Sequence, residues 1–260
     1  MPALREPFSV AAVAAALGGL AVRFDVDVLD ECDSTNSELM ARAEAGAPSG
    51  TVVAARRQTA GRGRLGRSWI ADPDASLAFS LLWRFPPGTW PAGLSLAVGV
   101  GLAEALETLG VRDLALKWPN DLLRNGRKCG GVLVELVPGD PRAAVIGVGL
   151  NLALPSGLPE DVAATAAGLD LDAAPAAILA GLLAGLHGAL TDFGSGGFVA
   201  LRDRWLARCA HRDMAVRILS EHAAPLEGRC IGVDVDGALM METGVCIQRI
   251  LSGDVSLRMP

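Results

Sequence analysis

The chain lacks paired cysteines. Cys32, Cys129, Cys209, Cys230 and Cys246 are odd in number and scattered, which excludes a disulfide framework and the ligand spacing of a zinc site, and fits a reducing cytoplasm. It also lacks a basic excess: 23 Lys and Arg stand against 29 Asp and Glu, a net charge of −6, so no nucleic-acid partner is expected. Internal repeats and polar low-complexity tracts are absent, which removes solenoid and disordered classes. The apolar stretch from Phe8 to Val22 is too short to cross a bilayer and follows acidic Glu6, so it reads as an Ala-rich helix packed on the body and ended by Gly18-Gly19. What remains is a compact chain of 260 residues, long enough for one large domain with a small appendage.

Alternation of apolar and polar residues predicts strands at 23–29, 51–58 and 76–85, and Ser34-Thr35-Asn36 precedes a helix-like run from Ser37 to Ala45. Helical spacing follows from Pro91 to Leu109. Strand-like segments then run over 114–118, 127–137 and 143–154, the second entered through the turn signal Asn125-Gly126. Two helices are predicted from Pro175 to Phe193 and from Gly197 to Cys209. From Arg212 onward the pattern becomes five short strands, at 215–220, 228–235, 238–242, 245–251 and 255–258, with tight turns such as Asp236-Gly237 and Gly253-Asp254. The fold class is therefore α+β: a mixed sheet flanked by helices over residues 1–211, with 1–22 a helical extension, then a small β-barrel over 212–260.

Gly61 to Gly66 spells G-x-G-x-x-G after a strand, the dinucleotide fingerprint, but Asp72-Pro73-Asp74 follows where a helix should open. The arginines are more informative. Arg56, Arg57, Arg62, Arg64 and Arg67 crowd one strand end and loop of an acidic protein, an arrangement that repels itself unless an anion sits among them. Glycines alternating with guanidinium forks make a loop that can close over phosphate or carboxylate. Lys117-Trp118-Pro119-Asn120-Asp121 projects an ammonium, an amide and a carboxylate from a strand end, although alone it is equally an ordinary strand end. Gly130-Gly131 after Lys128-Cys129, and Gly147-Val148-Gly149-Leu150-Asn151, place glycines inside strands, where either a flat ligand approaches the backbone or a β-bulge interrupts the ladder.

The order and combination of these segments resemble the biotin protein ligase family over nearly the whole chain. Ser34-Thr35-Asn36 and Gln58 stand in the expected places, and the ending Ser252-Gly253-Asp254-Val255-Ser256-Leu257-Arg258 is similar to that family's small SH3-like domain. The resemblance implies a catalytic domain of the class II aminoacyl-tRNA synthetase and biotin ligase type. It implies a biotin pocket lined by Ser34, Thr35, Asn36, Gln58, Arg62, Gly63, Arg64 and Lys117, with Gly130, Gly131 and Gly149 as its flat wall. Contacts to the nucleotide would come from Arg64, Arg67, Trp69, Asn120, Lys128 and Asn151. Lys117 and Arg64 would be catalytic, and Asp121 would help to place Mg²⁺ or serve structure only. The substrates implied are biotin and ATP, and the partner is a biotin carrier domain of a carboxylase such as acetyl-CoA carboxylase; a homodimer is left open.

About thirty residues precede Ser34, too few for the helix-turn-helix module that some family members carry, so a DNA-binding regulatory role is not expected. The readings that remain beside the ligase are a lipoate or octanoate ligase, a non-catalytic biotin-responsive regulator and, last, a Rossmann oxidoreductase.

Overall fold

A computed structural model describes residues 8–220, 223–251 and 255–259; Glu6 and the Gly253-Asp254 turn lie outside the described residues. Seven strands form a mixed sheet: β1 (Asp25–Cys32), β2 (Thr51–Gln58), β3 (Ser76–Arg84), β4 (Leu114–Lys117), β5 (Asp121–Arg124), β6 (Arg127–Val137) and β7 (Asp140–Asn151), in the order β1-β2-β3-β7-β6-β5-β4. Only β1 and β2 run parallel, joined by a crossover through a helix; all the other pairs are antiparallel. The helices are α1 (Val10–Leu17), α2 (Thr35–Glu44), α3 (Leu94–Thr108), α4 (Glu160–Ala163), α5 (Pro175–Gly196) and α6 (Arg202–Leu206). A second, antiparallel sheet follows, built from β8 (Ala215–Ser220), β9 (Ala223–Val233), β10 (Leu239–Glu242), β11 (Ile247–Ile250) and β12 (Val255–Arg258), in the order β11-β10-β9-β8-β12.

The two faces of the large sheet are treated differently. On one face Val52, Ala54, Leu77, Phe79, Leu81, Ile146, Val148 and Leu150 meet α3, α5 and α1 in the main apolar core. On the other, a smaller cluster of Val53, Leu82 and Val145 packs under Leu39 and Ala43 of α2. That helix covers only part of its face and leaves the remaining strip free of a helical layer. Each fully buried side chain of this size contributes about 1.5–3 kcal/mol, so the sealed face carries most of the stability and the part-covered face is available for chemistry.

Close approach of α3 and α5 depends on glycine. A Cβ at Gly185 would lie 2.6 Å from the Gly101 carbonyl oxygen and 2.8 Å from Ala105 Cβ, so the helix backbones are nearly in contact there. The second sheet is tied to the rest by a buried bond, from the Trp118 indole N–H to the Gly237 carbonyl at 3.1 Å, and by a half-buried one, from Arg202 Nε on α6 to the Val233 carbonyl at 2.8 Å.

Several boundaries differ from the sequence expectation for local reasons. Ser34 is the N-cap of α2, and Thr35 and Asn36 form its first turn rather than preceding it. Gly93 is left-handed (φ 78°), so Pro91 to Gly93 make a turn and α3 begins at Leu94. Strand β5 was not anticipated, because at four residues, with both Leu122 and Leu123 buried, it shows no alternation. The helix expected over 197–209 is a 3-10 turn at 197–200 followed by α6, and it stops short because Arg208 to Ala210 pair with Leu116: the Leu116 N–H donates to the Arg208 carbonyl (2.7 Å), and the Ala210 N–H donates to the Leu116 carbonyl (2.9 Å). Asn125 and Gly126 do form the β5–β6 turn, both at positive φ (50° and 74°). All five cysteines are unpaired, and burial pushes the Cys129 thiol up to about 12, as suits a packing residue.

Replacing a helical glycine by alanine ordinarily stabilises by about 1 kcal/mol. Gly185→Ala is expected to do the reverse here, lowering unfolding stability by about 1–3 kcal/mol through overpacking, measured by urea denaturation.

Candidate functional site

Registered neighbours across a sheet share a face. On the part-covered face one such row runs from Ala55 through Ala78, Gly149, Gly131 and Asp121 to Lys117. Four small residues thus make a floor almost without side chains, ending at Lys117, whose backbone lies about 14 Å from that of Gly149 at about 4.8 Å per strand. The next row holds Val53, Ser80, Gly147 and Leu133. A Cβ at Gly149 would stand 2.4 Å from the Trp69 ring, and one at Gly147 would stand 2.1 Å from Asn36 Oδ1, so both glycines are required by side chains laid on the floor. Gly131 opens toward Lys128 and Asp121 instead. Gly130 points to the other face, where a Cβ would meet Leu150 Cδ2 at 2.5 Å; its reason is packing within the sheet and not a flat ligand, which corrects the expectation for that residue. The register shift opposite Leu122 and Leu123 is the β-bulge that Lys128 to Gly130 also suggested.

One end of the floor is lined by buried polar side chains from the first turn of α2. Thr35 donates its backbone N–H (2.8 Å) and its hydroxyl (3.2 Å) to Gln58 Oε1. Ser80 Oγ lies 2.8 Å from Thr35 Oγ1 and donates to Asn36 Oδ1 at 2.6 Å, and Asn36 Nδ2 donates to Glu135 Oε2 at 2.8 Å. Ser34, Thr35, Asn36 and Ser80 are all buried, and these bonds are what allow the last three to leave water.

The arginine loop is a miniature hairpin. Arg62 bridges Ser68, the Trp69 N–H donates to the Gly61 carbonyl at 2.9 Å, and the Gly63 N–H donates to the Arg67 carbonyl at 2.6 Å, leaving Arg64, Leu65 and Gly66 as the tip. Leu65 takes the left-handed conformation there (φ 58°), uncommon for a branched apolar residue. Arg62 forms a two-pronged pair with Glu135 (3.1 and 2.9 Å), and Arg64 Nη1 reaches Asn120 Oδ1 at 3.4 Å. Between this hairpin and Leu133, Val134 and Glu135 lies a cleft of about 600 Å³, within the range of small-molecule sites.

Cations gather at the far end. Lys128 Nζ pairs with Asp121 Oδ1 at 2.6 Å and sits 5.8 Å from the Trp69 ring centre. Burial holds the Lys117 ammonium below the usual lysine range. Asp121 opposes that shift, and Arg258, Lys128 and Arg67 deepen it. Buried His211 is likewise held low, by desolvation first and by the charge of Lys117 second. The indole N–H of Trp69 is buried and has no hydrogen-bond partner among the described residues, a state costing about 1–3 kcal/mol unless a ligand supplies an acceptor.

The structure therefore brings together Ser34, Thr35, Asn36, Gln58, Arg62, Gly63, Arg64, Arg67, Trp69, Lys117, Asn120, Asp121, Lys128, Gly131 and Gly149. Asn151 lies one step beyond Gly149 on the same face of β7; it is buried, and its amide donates to the Ala167 carbonyl at 3.2 Å. No three carboxylate, histidine or cysteine side chains converge on a metal position among the described residues, and the Asp121 carboxylate is engaged by Lys128, so these side chains do not make a resident Mg²⁺ site. Sequence reasoning missed Ser80, Glu135, His211 and Arg258. The first two carried a signal, a hydroxyl and a carboxylate each interrupting an otherwise apolar strand.

Comparison with known proteins agrees with this geometry. The biotin/lipoate A/B protein ligase family matches residues 29–151. The bifunctional ligase/repressor BirA of Salmonella typhimurium is 37% identical over 243 residues, covering 90% of this chain and 74% of that protein. The biotin--[acetyl-CoA-carboxylase] ligase of Mycobacterium tuberculosis is 33% identical over 242 residues, 88% of each chain. Among solved structures, the biotin protein ligase from Aquifex aeolicus in complex with biotin and ATP superposes with a TM-score of 0.79 at 30% identity, over 91% of this chain and 99% of that one. The chain belongs to the biotin/lipoate A/B protein ligase family. Within that family, its similarity over most of its length is to proteins named as biotin ligases.

Because the Lys117 proton is bound less tightly in the folded chain than in the unfolded one, stability owed to this group rises with pH between its depressed pKa and the ordinary 10.5. Lys117→Met is thus expected to raise the thermal midpoint at pH 7, with the gain shrinking as pH approaches 10.5; melting curves of both proteins across that range check it.

Proposed function

We propose that this chain is a biotin protein ligase, joining biotin to ATP as biotinyl-5′-adenylate and passing the acyl group to a lysine of a carboxylase's biotin carrier domain. The observation that carries the reading is the floor itself, with a buried hydroxyl and amide cluster at one end and partly desolvated cations at the other. A cyclic urea offers donors and acceptors to such a cluster. A dithiolane ring does not, so it would gain none of the hydrogen bonds that a cyclic urea makes there.

In this reading Ser34, Thr35, Asn36 and Gln58 take the ring, Arg62, Gly63, Arg64 and Lys117 take the acid end, and Gly131 and Gly149 are the flat wall. Arg64, Arg67, Trp69, Asn120 and Lys128 face the nucleotide, with the unpaired Trp69 indole as one donor. Asn151 acts indirectly, by holding the segment through Ala167. ATP enters as its Mg²⁺ complex, and no protein carboxylate is assigned to the ion. A carboxylate oxygen of biotin attacks the α-phosphorus, the bond to the bridging oxygen breaks and pyrophosphate leaves. Lys117 lies where two anions must meet and offsets their repulsion as charge builds. The mixed anhydride is water-sensitive, and the arginine hairpin screens it. A neutral carrier lysine then attacks the acyl carbon, and AMP leaves with the bonding pair.

The division at residue 212 into a catalytic and an SH3-like domain, and a cytoplasmic setting where ATP and the carrier occur, belong to the same proposal.

Incubation with biotin, Mg·ATP and a carrier domain is expected to add one biotinyl mass to the carrier; a lipoyl mass instead, with lipoate supplied in parallel, would overturn the choice of acid. Lys117→Ala is expected to slow pyrophosphate release by about a hundredfold or more. Arg64→Gly should still make adenylate but lose it to solution faster, followed as free biotinyl-adenylate without acceptor.

A further inference from the structure

Glu135 is the one charged residue in the run Val132 to Val137, on β6 at the boundary between the floor and the strip covered by α2. Its two oxygens serve two structures at once. Oε1 accepts from Arg62 Nη1 at 3.1 Å, and Oε2 accepts from Arg62 Nη2 at 2.9 Å and from Asn36 Nδ2 at 2.8 Å. One carboxylate therefore joins the base of the arginine hairpin to the first turn of α2.

An ionised carboxylate only accepts hydrogen bonds. Opposite it, Asn36 must present its NH₂, which turns Oδ1 toward Ser80 and directs the Ser80 proton to Asn36. Gln58 is oriented separately: its Oε1 accepts from the Thr35 backbone N–H at 2.8 Å, which turns its amide nitrogen outward, toward Gly61 at the base of the hairpin. The direction of the bonds from Asn36 to Ser80 is set mainly at Glu135, with the Leu133 carbonyl, 3.3 Å from Asn36 Nδ2, as a longer second acceptor. A glutamine there would accept or donate, leaving that longer bond to orient Asn36, and the guanidinium fork would lose its charge-assisted partner.

We propose that Glu135 is a positioning residue, which fixes the polarity of the ring-binding cluster and anchors the hairpin base so that only the tip from Arg64 to Gly66 moves. The proposal rests on the ligase reading for its kinetic consequences, but its structural half does not. The hairpin carries its own reporters in Arg64 and Arg67, both trypsin sites.

The test is limited trypsin digestion of the ligand-free protein, scored at Arg64 and Arg67, combined with steady-state adenylation. For Glu135→Gln, cleavage is expected to quicken by about fivefold, the value of a partly exposed ion pair, at an unchanged thermal midpoint. Its KM for biotin should rise by more than its kcat falls. Arg62→Lys, which keeps the charge but not the fork and lies on an exposed loop, should quicken cleavage likewise, and the double variant should be no faster than Glu135→Gln alone. Unchanged cleavage in both single variants, or effects that multiply in the double, would overturn the anchor; a fall in kcat with KM unmoved would overturn the cluster. Should Glu135→Gln fail to fold, Arg62→Lys decides the anchor alone. If the wild type makes no biotinyl-adenylate, the ligase reading fails while the digestion result still stands.

Discussion

Gly131 and Gly149 face each other across β6 and β7, and the absence of two side chains there governs the rest of the molecule. A sheet must bury at least one face to be stable, and this one buries its opposite face under α3 and α5, with a glycine contact between the two helices that brings them close. Once that face is sealed, the other can forgo apolar side chains along one row. The row then accepts an indole, an amide and a ligand against bare backbone. Any larger residue at Gly149 would displace Trp69, and with it the contact between that ring and Lys128.

Charge follows from the same arrangement. The chain is acidic overall, yet Lys117, Lys128, Arg64 and Arg67 converge around one end of the floor, with Asp121 the carboxylate in direct contact. Such a cluster is unfavourable in isolation; burial first, and the neighbouring cations Arg258, Lys128 and Arg67 after it, lower the affinity of Lys117 for its proton. Phosphate and carboxylate oxygens relieve it. Binding free energy here comes partly from a repulsion already present in the empty protein, which is why the cluster and the anion belong to one explanation.

Much of this was legible in the amino-acid order. Strand β2 and the strands at 127–137 and 215–220 have the expected bounds, because alternation or an apolar run with clear turn residues at each end marks them. The arginine loop and the Lys117 segment were read as partners before any contact between them was known, because like charges in an acidic chain demand a common anion. Glu135 and Ser80 escaped because each looks like an isolated polar interruption until strand register places them beside Asn36. The sequence leaves Asp121 between a metal contact and a structural role; its position opposite Lys117 on the short strand β5 and its ion pair with Lys128 are consequences of register rather than composition. Arg258 and His211 lie over 90 residues from Lys117 in the chain, a separation that no local pattern bridges.

Trp118 is 2% exposed, and its indole proton is received by the Gly237 carbonyl on the small sheet. The residue next to the central ammonium is thus housed in a socket built half by one sheet and half by the other. Shortening the chain at the junction would open that socket to solvent and strand a buried donor immediately beside Lys117. Grafting a foreign sheet onto this scaffold would have to reproduce the shape of one turn, Asp236-Gly237, before anything else about the junction could be kept.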